Sequence, residues 1–141
     1  MTMRIAHDLI AHQQVADRCG RALAARLEYR AEEPYEVRLL FHTDRPDPVV
    51  WVFGRDLLLE GLRRPCGSGD VRIRPAFDGG RHLLSVVLAG DTGTAVVEIP
   101  AAEAGAFALR TLRLVPEGEE VQRLDVDSLT ASPLLTAGRL G

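Results

Sequence analysis

The side chains of this sequence best equipped for chemistry are four histidines, His7, His12, His42 and His82, two thiols, Cys19 and Cys66, a serine between glycines, Ser68, and a paired carboxylate, Asp125 and Asp127. Zinc requires ligands at set separations, as in HExxH or paired Cys/His motifs, and none of these residues is so spaced. Solvated or capping histidines are the reading that remains. Ser68 lies in Gly67-Ser68-Gly69 and not in G-x-S-x-G, and it follows a predicted helix where a nucleophile elbow follows a strand. A tight turn accounts for it. Phosphate-binding loops of the G-x-x-x-x-G-K-[ST] and G-x-G-x-x-G types are missing, and all 17 basic residues are Arg, so a phosphate-loop lysine is unavailable. Asp125 and Asp127 could share a strand face and hold a cation or work as acid and base. An acidic stretch at the head of a helix is more simply a solvated cap. No catalytic, cofactor-binding or metal-ligating residue is therefore assigned, and the chain reads as a non-enzyme.

The arginines are a different matter. Arg63, Arg64, Arg72, Arg74 and Arg81 gather positive charge around one helix end and one strand, and the planar guanidinium fork recognises phosphate or carboxylate. Single-strand binders also need aromatic stacking platforms, and aromatic residues make up only 5% of the chain. A salt-bridge face toward another protein or subunit is the preferred reading of the cluster. A single-stranded nucleic-acid-binding module is the alternative, tied above all to Arg72 and Arg74.

The scaffold that must position these groups is bounded by composition. With 141 residues, 46% of them hydrophobic and 26% charged, the chain fits one globular domain, 1–141. Its net charge of -3 supplies no global basic field to draw in nucleic acid or anionic lipid. Two distant cysteines suit a reducing compartment, and no uninterrupted apolar run of about 18 residues marks a membrane span. A cytoplasmic protein is expected.

Alternation of Tyr35, Val37, Leu39 and Phe41 with Glu36, Arg38 and His42 predicts a strand with one buried face. The turn at 44–48, with Pro46 and Pro48, leads into the apolar run 49–53, which predicts a hairpin over 35–53. Residues 54–64 place Leu57, Leu58 and Leu62 at helical spacing, with Asp56 near the start and Arg63 and Arg64 near the end. After Pro65 and Gly67, strands follow at Val71 and Ile73, 82–89 and 94–99, separated by turns at 78–80 and 90–93, so that the middle of the chain reads as an antiparallel meander. Residues 101–112 predict a helix through Ala104, Phe107, Ala108 and Leu112. A turn at 115–120 carries Glu117 and Gly118, and a last helix is predicted at 128–135.

The segment 51–75, WVFGRDLLLEGLRRPCGSGDVRIRP, carries a resemblance. It resembles the central motif of the SsgA-like proteins, actinobacterial regulators of cell division and sporulation, through Trp51, Phe53, Arg55, Asp56, Gly61, Pro65, Gly69 and Asp70. The similarity extends over roughly residues 29–135, taking in Pro34-Tyr35, Phe41-His42, Glu98, Pro100, Phe107, Arg110-Thr111 and Gly118. The chain departs from the pattern at Glu33, Gly54, Cys66, Arg74 and the N-terminus, as a divergent paralogue would. The resemblance implies an α+β fold of whirly type, with antiparallel sheets packed with helices, and it implies a bell-shaped trimer. It places strands near 5–15 and 25–29, where Ala and Leu by themselves favour helix. It implies an adaptor that recruits FtsZ or another division protein to septa, with no cofactor. Trp51, Phe53 and Leu57 are read as core, Arg55 and Asp56 as an ion pair or cap, and Gly118 with Glu117 as an exposed docking turn.

Overall fold

The structure, a computed structural model, describes residues 3–15 and 18–121. Within these residues the chain forms strands β1 (Arg4–Val15), β2 (Arg18–Arg30), β3 (Glu36–Phe41) and β4 (Val49–Gly54), then helix α1 (Arg55–Gly61), strands β5 (Val71–Asp78), β6 (Arg81–Gly90) and β7 (Gly93–Pro100), and helix α2 (Ala101–Leu114). The α+β architecture is as expected from the sequence, in a more economical form. All the strands join one antiparallel seven-stranded sheet in the order β4-β3-β2-β1-β7-β6-β5.

The hairpin at 35–53 and the antiparallel meander across 71–99 form as predicted, at opposite ends of the sheet. The long β1–β2 hairpin stands between them, and the two halves meet where β1 pairs with β7 through His12 opposite Glu98 and Gln13 opposite Val97. Strand, not helix, wins at the N-terminus because a period of two puts Ile5, Leu9 and Ala11 of β1 and Leu23, Ala25, Leu27 and Tyr29 of β2 on one buried face. That face receives both helices. From α2, Ala104, Phe107, Ala108 and Thr111 are buried at helical spacing, and Phe107 is completely covered. Each fully buried large apolar side chain of this layer contributes about 1.5–3 kcal/mol.

Helix α1 is shorter than predicted and ends at Gly61, leaving Arg63 and Arg64 in the following turn, where both backbone N–H groups donate to the Glu60 carbonyl. Gly61 packs against β5 so closely that a Cβ there would lie 2.5 Å from Ile73 Cγ2. Phe53 is buried, whereas Trp51 and Leu57 are only half-buried against the rim of the core. The predicted helix at 128–135 and the pair Asp125 and Asp127 lie outside the described residues.

Candidate partner-docking site

Helix α2 runs out at Leu114, and the chain then makes a tight turn over residues 116–120, exposed from Pro116 to Glu119. The Glu119 N–H donates to the Pro116 carbonyl at 3.0 Å, and Gly118 adopts φ +90°, a conformation that costs an L-residue strain. Among the described residues, its chain neighbours apart, nothing lies within 4 Å of the position a Gly118 Cβ would take, so backbone conformation and not crowding selects glycine here. Glu117, Gly118 and Glu119 are all exposed.

A buried ion pair holds this turn. Glu120 folds back beneath it, and its Oε1 accepts the Gly118 N–H at 2.7 Å while its Oε2 accepts from Arg55 Nη2 at 2.7 Å. Arg55, the first residue of α1, is 1% exposed. Its Nη1 donates to the carbonyls of Val115 at 2.6 Å and Thr111 at 3.1 Å, at the C-terminal end of α2, the negative end of the helix dipole. The guanidinium also lies 5.2 Å from the centre of the Tyr29 ring, and the Tyr29 hydroxyl donates to the Pro34 carbonyl at 3.0 Å. One arginine thus ties α1, the C-terminus of α2, strand β2 and the turn together. Burial alone would raise the Glu120 pKa, but the Arg55 hydrogen bond, the backbone donors of Glu120 and Gly118 and the Arg55 charge outweigh it and hold the carboxyl below its ordinary range.

Gly118 and Glu117, expected in an exposed turn, stand in one. The expectation of an ion pair or cap at Arg55 and Asp56 is corrected: Arg55 turns inward to Glu120, while Asp56 stays exposed in the first turn of α1, where no side chain caps the helix. An arginine next to an aspartate is ordinarily a solvated pair, yet Arg55 shares a helical face with Leu58 and Gly61, all three buried. That spacing, with Phe53 two residues before it, was the signal available. Glu120, sixty-five residues farther along, was not singled out. Pro65, Gly69 and Asp70 are exposed between α1 and β5, where the Asp70 carbonyl accepts the Ala89 N–H at 2.8 Å. Arg72 and Arg74 project from β5 and do not belong to the 116–120 turn. Among the described residues no three His, Cys, Asp or Glu side chains are gathered to hold a metal ion, and no helix is long and apolar enough to cross a membrane.

Comparison with known proteins gives this geometry a context. The family model described as "Streptomyces sporulation and cell division protein, SsgA" matches residues 23–120, which include both members of the buried pair. The chain is 39% identical over 120 residues to the sporulation-specific cell division protein SsgB of Thermobifida fusca, covering 85% of this chain and 87% of that protein. It is 37% identical over 127 residues to SsgB of Streptomyces coelicolor, covering 90% and 93%. Two solved structures share the fold. An SsgA-like sporulation-specific cell division protein from Thermobifida fusca aligns with TM-score 0.84 at 36% identity, covering 92% of this chain and 94% of that one. A second structure, from work relating SsgB mutations to longitudinal cell division during sporulation of Streptomyces coelicolor, aligns with TM-score 0.82 at 36% identity, covering 87% and 97%.

Proposed function

Since this chain belongs to the SsgA family of sporulation and cell division proteins, we propose that it is a non-enzymatic adaptor that positions the division machinery. In this reading it works in the cytoplasm at division septa, where it recruits FtsZ or another division protein and so bears on septum-site selection and on septal wall synthesis or remodelling. The observation that carries the proposal is the 116–120 turn. A positive-φ glycine and a flanking carboxylate stand exposed on a turn whose far side is fastened by a buried ion pair. A preorganised turn of this kind loses little entropy on docking.

The reading includes self-association of a single-domain chain, with a trimer as the assembly. It draws support from edge strand β4, where Val49, Val50 and Val52 are each about half exposed and a second copy has apolar area to cover. Sedimentation velocity of the purified protein tests this directly, and a monomer at all concentrations ends it.

For docking, the assay is retention of purified FtsZ and of lysate division proteins on immobilised protein, with Gly118→Val as the variant. Val at φ +90° distorts the turn, and FtsZ retention is expected to fall about tenfold, the scale of a 1.4 kcal/mol contact. No retention of any division protein by the wild type overturns the proposal.

A further inference from the structure

The sheet face that the helices leave open carries a second candidate site, at the β5 edge. Val71 and Ile73 of β5 point into the core, so the two-residue period sends Arg72 and Arg74 to the opposite face. Register sets Arg72 opposite Val87 and Val87 opposite Val96, while Arg74 stands opposite Ser85. The other wall is the strap 65–67, fastened to β5 by reciprocal backbone bonds between Cys66 and Ile73, each 2.9 Å. Gly67 allows that close approach, because at φ +107° a Cβ would lie 2.6 Å from the Val71 carbonyl oxygen. Strap and strands enclose an open cavity of about 450 Å3 lined by Arg72, Arg74, Ser85, Val87, Val96 and Cys66.

Charge and polarity define what fits. Among the described residues neither Arg72 nor Arg74 lies within 4 Å of a carboxylate, so both guanidinium groups at the cavity are available to a ligand. Two free guanidinium forks at the rim call for a carboxylate or phosphate, and the Val87–Val96 floor calls for an aliphatic group beside it. No aromatic ring lines the cavity for base stacking, and the net charge of -3 opposes a long polyanion. Glu98, opposite Ser85 on β7, confines an acidic group to the β5 side.

We infer that this cavity binds an extended acidic segment of a partner protein, with one Asp or Glu carboxylate held by Arg72 and Arg74 and an adjacent aliphatic side chain seated on Val87 and Val96. The site is independent of the 116–120 turn, and either can fail without the other.

The test is a fluorescence anisotropy titration of the full chain with three labelled probes: a decapeptide of alternating Leu and Asp, the same peptide with Asn for Asp, and a fifteen-residue oligo-dT. The Leu–Asp peptide is expected to bind, the Asn peptide to bind about tenfold more weakly or worse, and Arg72→Ala with Arg74→Ala to abolish the preference, the melting temperature staying at that of the wild type because both side chains are exposed. A flat Leu–Asp titration up to about 1 mM, binding indifferent to the two substitutions, or tighter binding of oligo-dT than of peptide overturns the inference.

Discussion

Replacing Glu120 with Gln removes one charge from the buried pair at nearly constant volume and leaves Arg55, 1% exposed, with no counter-ion among the described residues. Its Nη1 keeps the Thr111 and Val115 carbonyls and its Nε is already without a partner among the described residues, so the lost Nη2–Oε2 contact of 2.7 Å has no replacement of equal strength. Breaking a buried ion pair on one side costs about 3–5 kcal/mol, and the Gln oxygen, which still accepts one bond, puts the expectation near the lower end, about 3 kcal/mol. For a domain of this size that is a fall of about 10 °C in melting temperature. The pH dependence has a definite sign. The folded-state pKa of Glu120 lies below the ordinary value of 4.5, so its stabilisation is fully present above that value and is lost as pH falls through the folded pKa. Urea melts followed by circular dichroism at pH 7 and at pH 3 should therefore show a gap between wild type and Glu120→Gln that is large at pH 7 and narrows at pH 3. Replacing both partners, Arg55→Met with Glu120→Leu, should recover most of the loss, because the uncompensated charge goes with the pair. A change below about 0.5 kcal/mol at pH 7, the scale of an ordinary surface substitution, would refute the reasoning.

Three more perturbations follow from the packing. Gly61→Ala drives a Cβ to within 2.6 Å of both Ile73 Cβ and Cγ2 and should cost about 1–3 kcal/mol in chemical denaturation, with the far-UV spectrum retained. Phe107→Ala empties the fully buried centre of the α2 contact and should cost about 3–5 kcal/mol, enough to leave much of the protein unfolded at 37 °C in a thermal melt. Val50→Lys, by contrast, changes a side chain that is 48% exposed on the edge strand, so stability should move by no more than about 0.5 kcal/mol while sedimentation shifts toward monomer if β4 joins copies.

Much of this fold was legible because its signals are local. The alternation in β3, the turn residues at 78–80 and 90–93 and the spacing of Ala104, Phe107 and Ala108 each specify an element within about ten residues, and each element formed. The N-terminal hairpin was legible only through family resemblance, since its Ala-rich strands carry helical propensity that pairing over eleven residue positions overrides. Insertion of that hairpin between the two halves of the sheet depends on the short β1–β7 contact, a long-range pairing with no local signature. In the 116–120 turn, Gly118 could be read from its neighbours Pro116 and Glu117. Its anchor could not, because the Arg55–Glu120 pair joins distant segments and an arginine beside an aspartate looks like a surface residue until the helix face is counted.

Docking at the 116–120 turn is tested by the affinity of purified FtsZ for the wild-type protein and for Glu117→Arg, a change on an exposed side chain of the turn that leaves the buried pair in place. Saturable binding by the wild type is expected, weakened about tenfold by the charge reversal at unchanged melting temperature. Equal affinity of the two proteins would contradict docking at this turn, and no FtsZ binding by either, with no other division protein retained, would contradict the adaptor role itself.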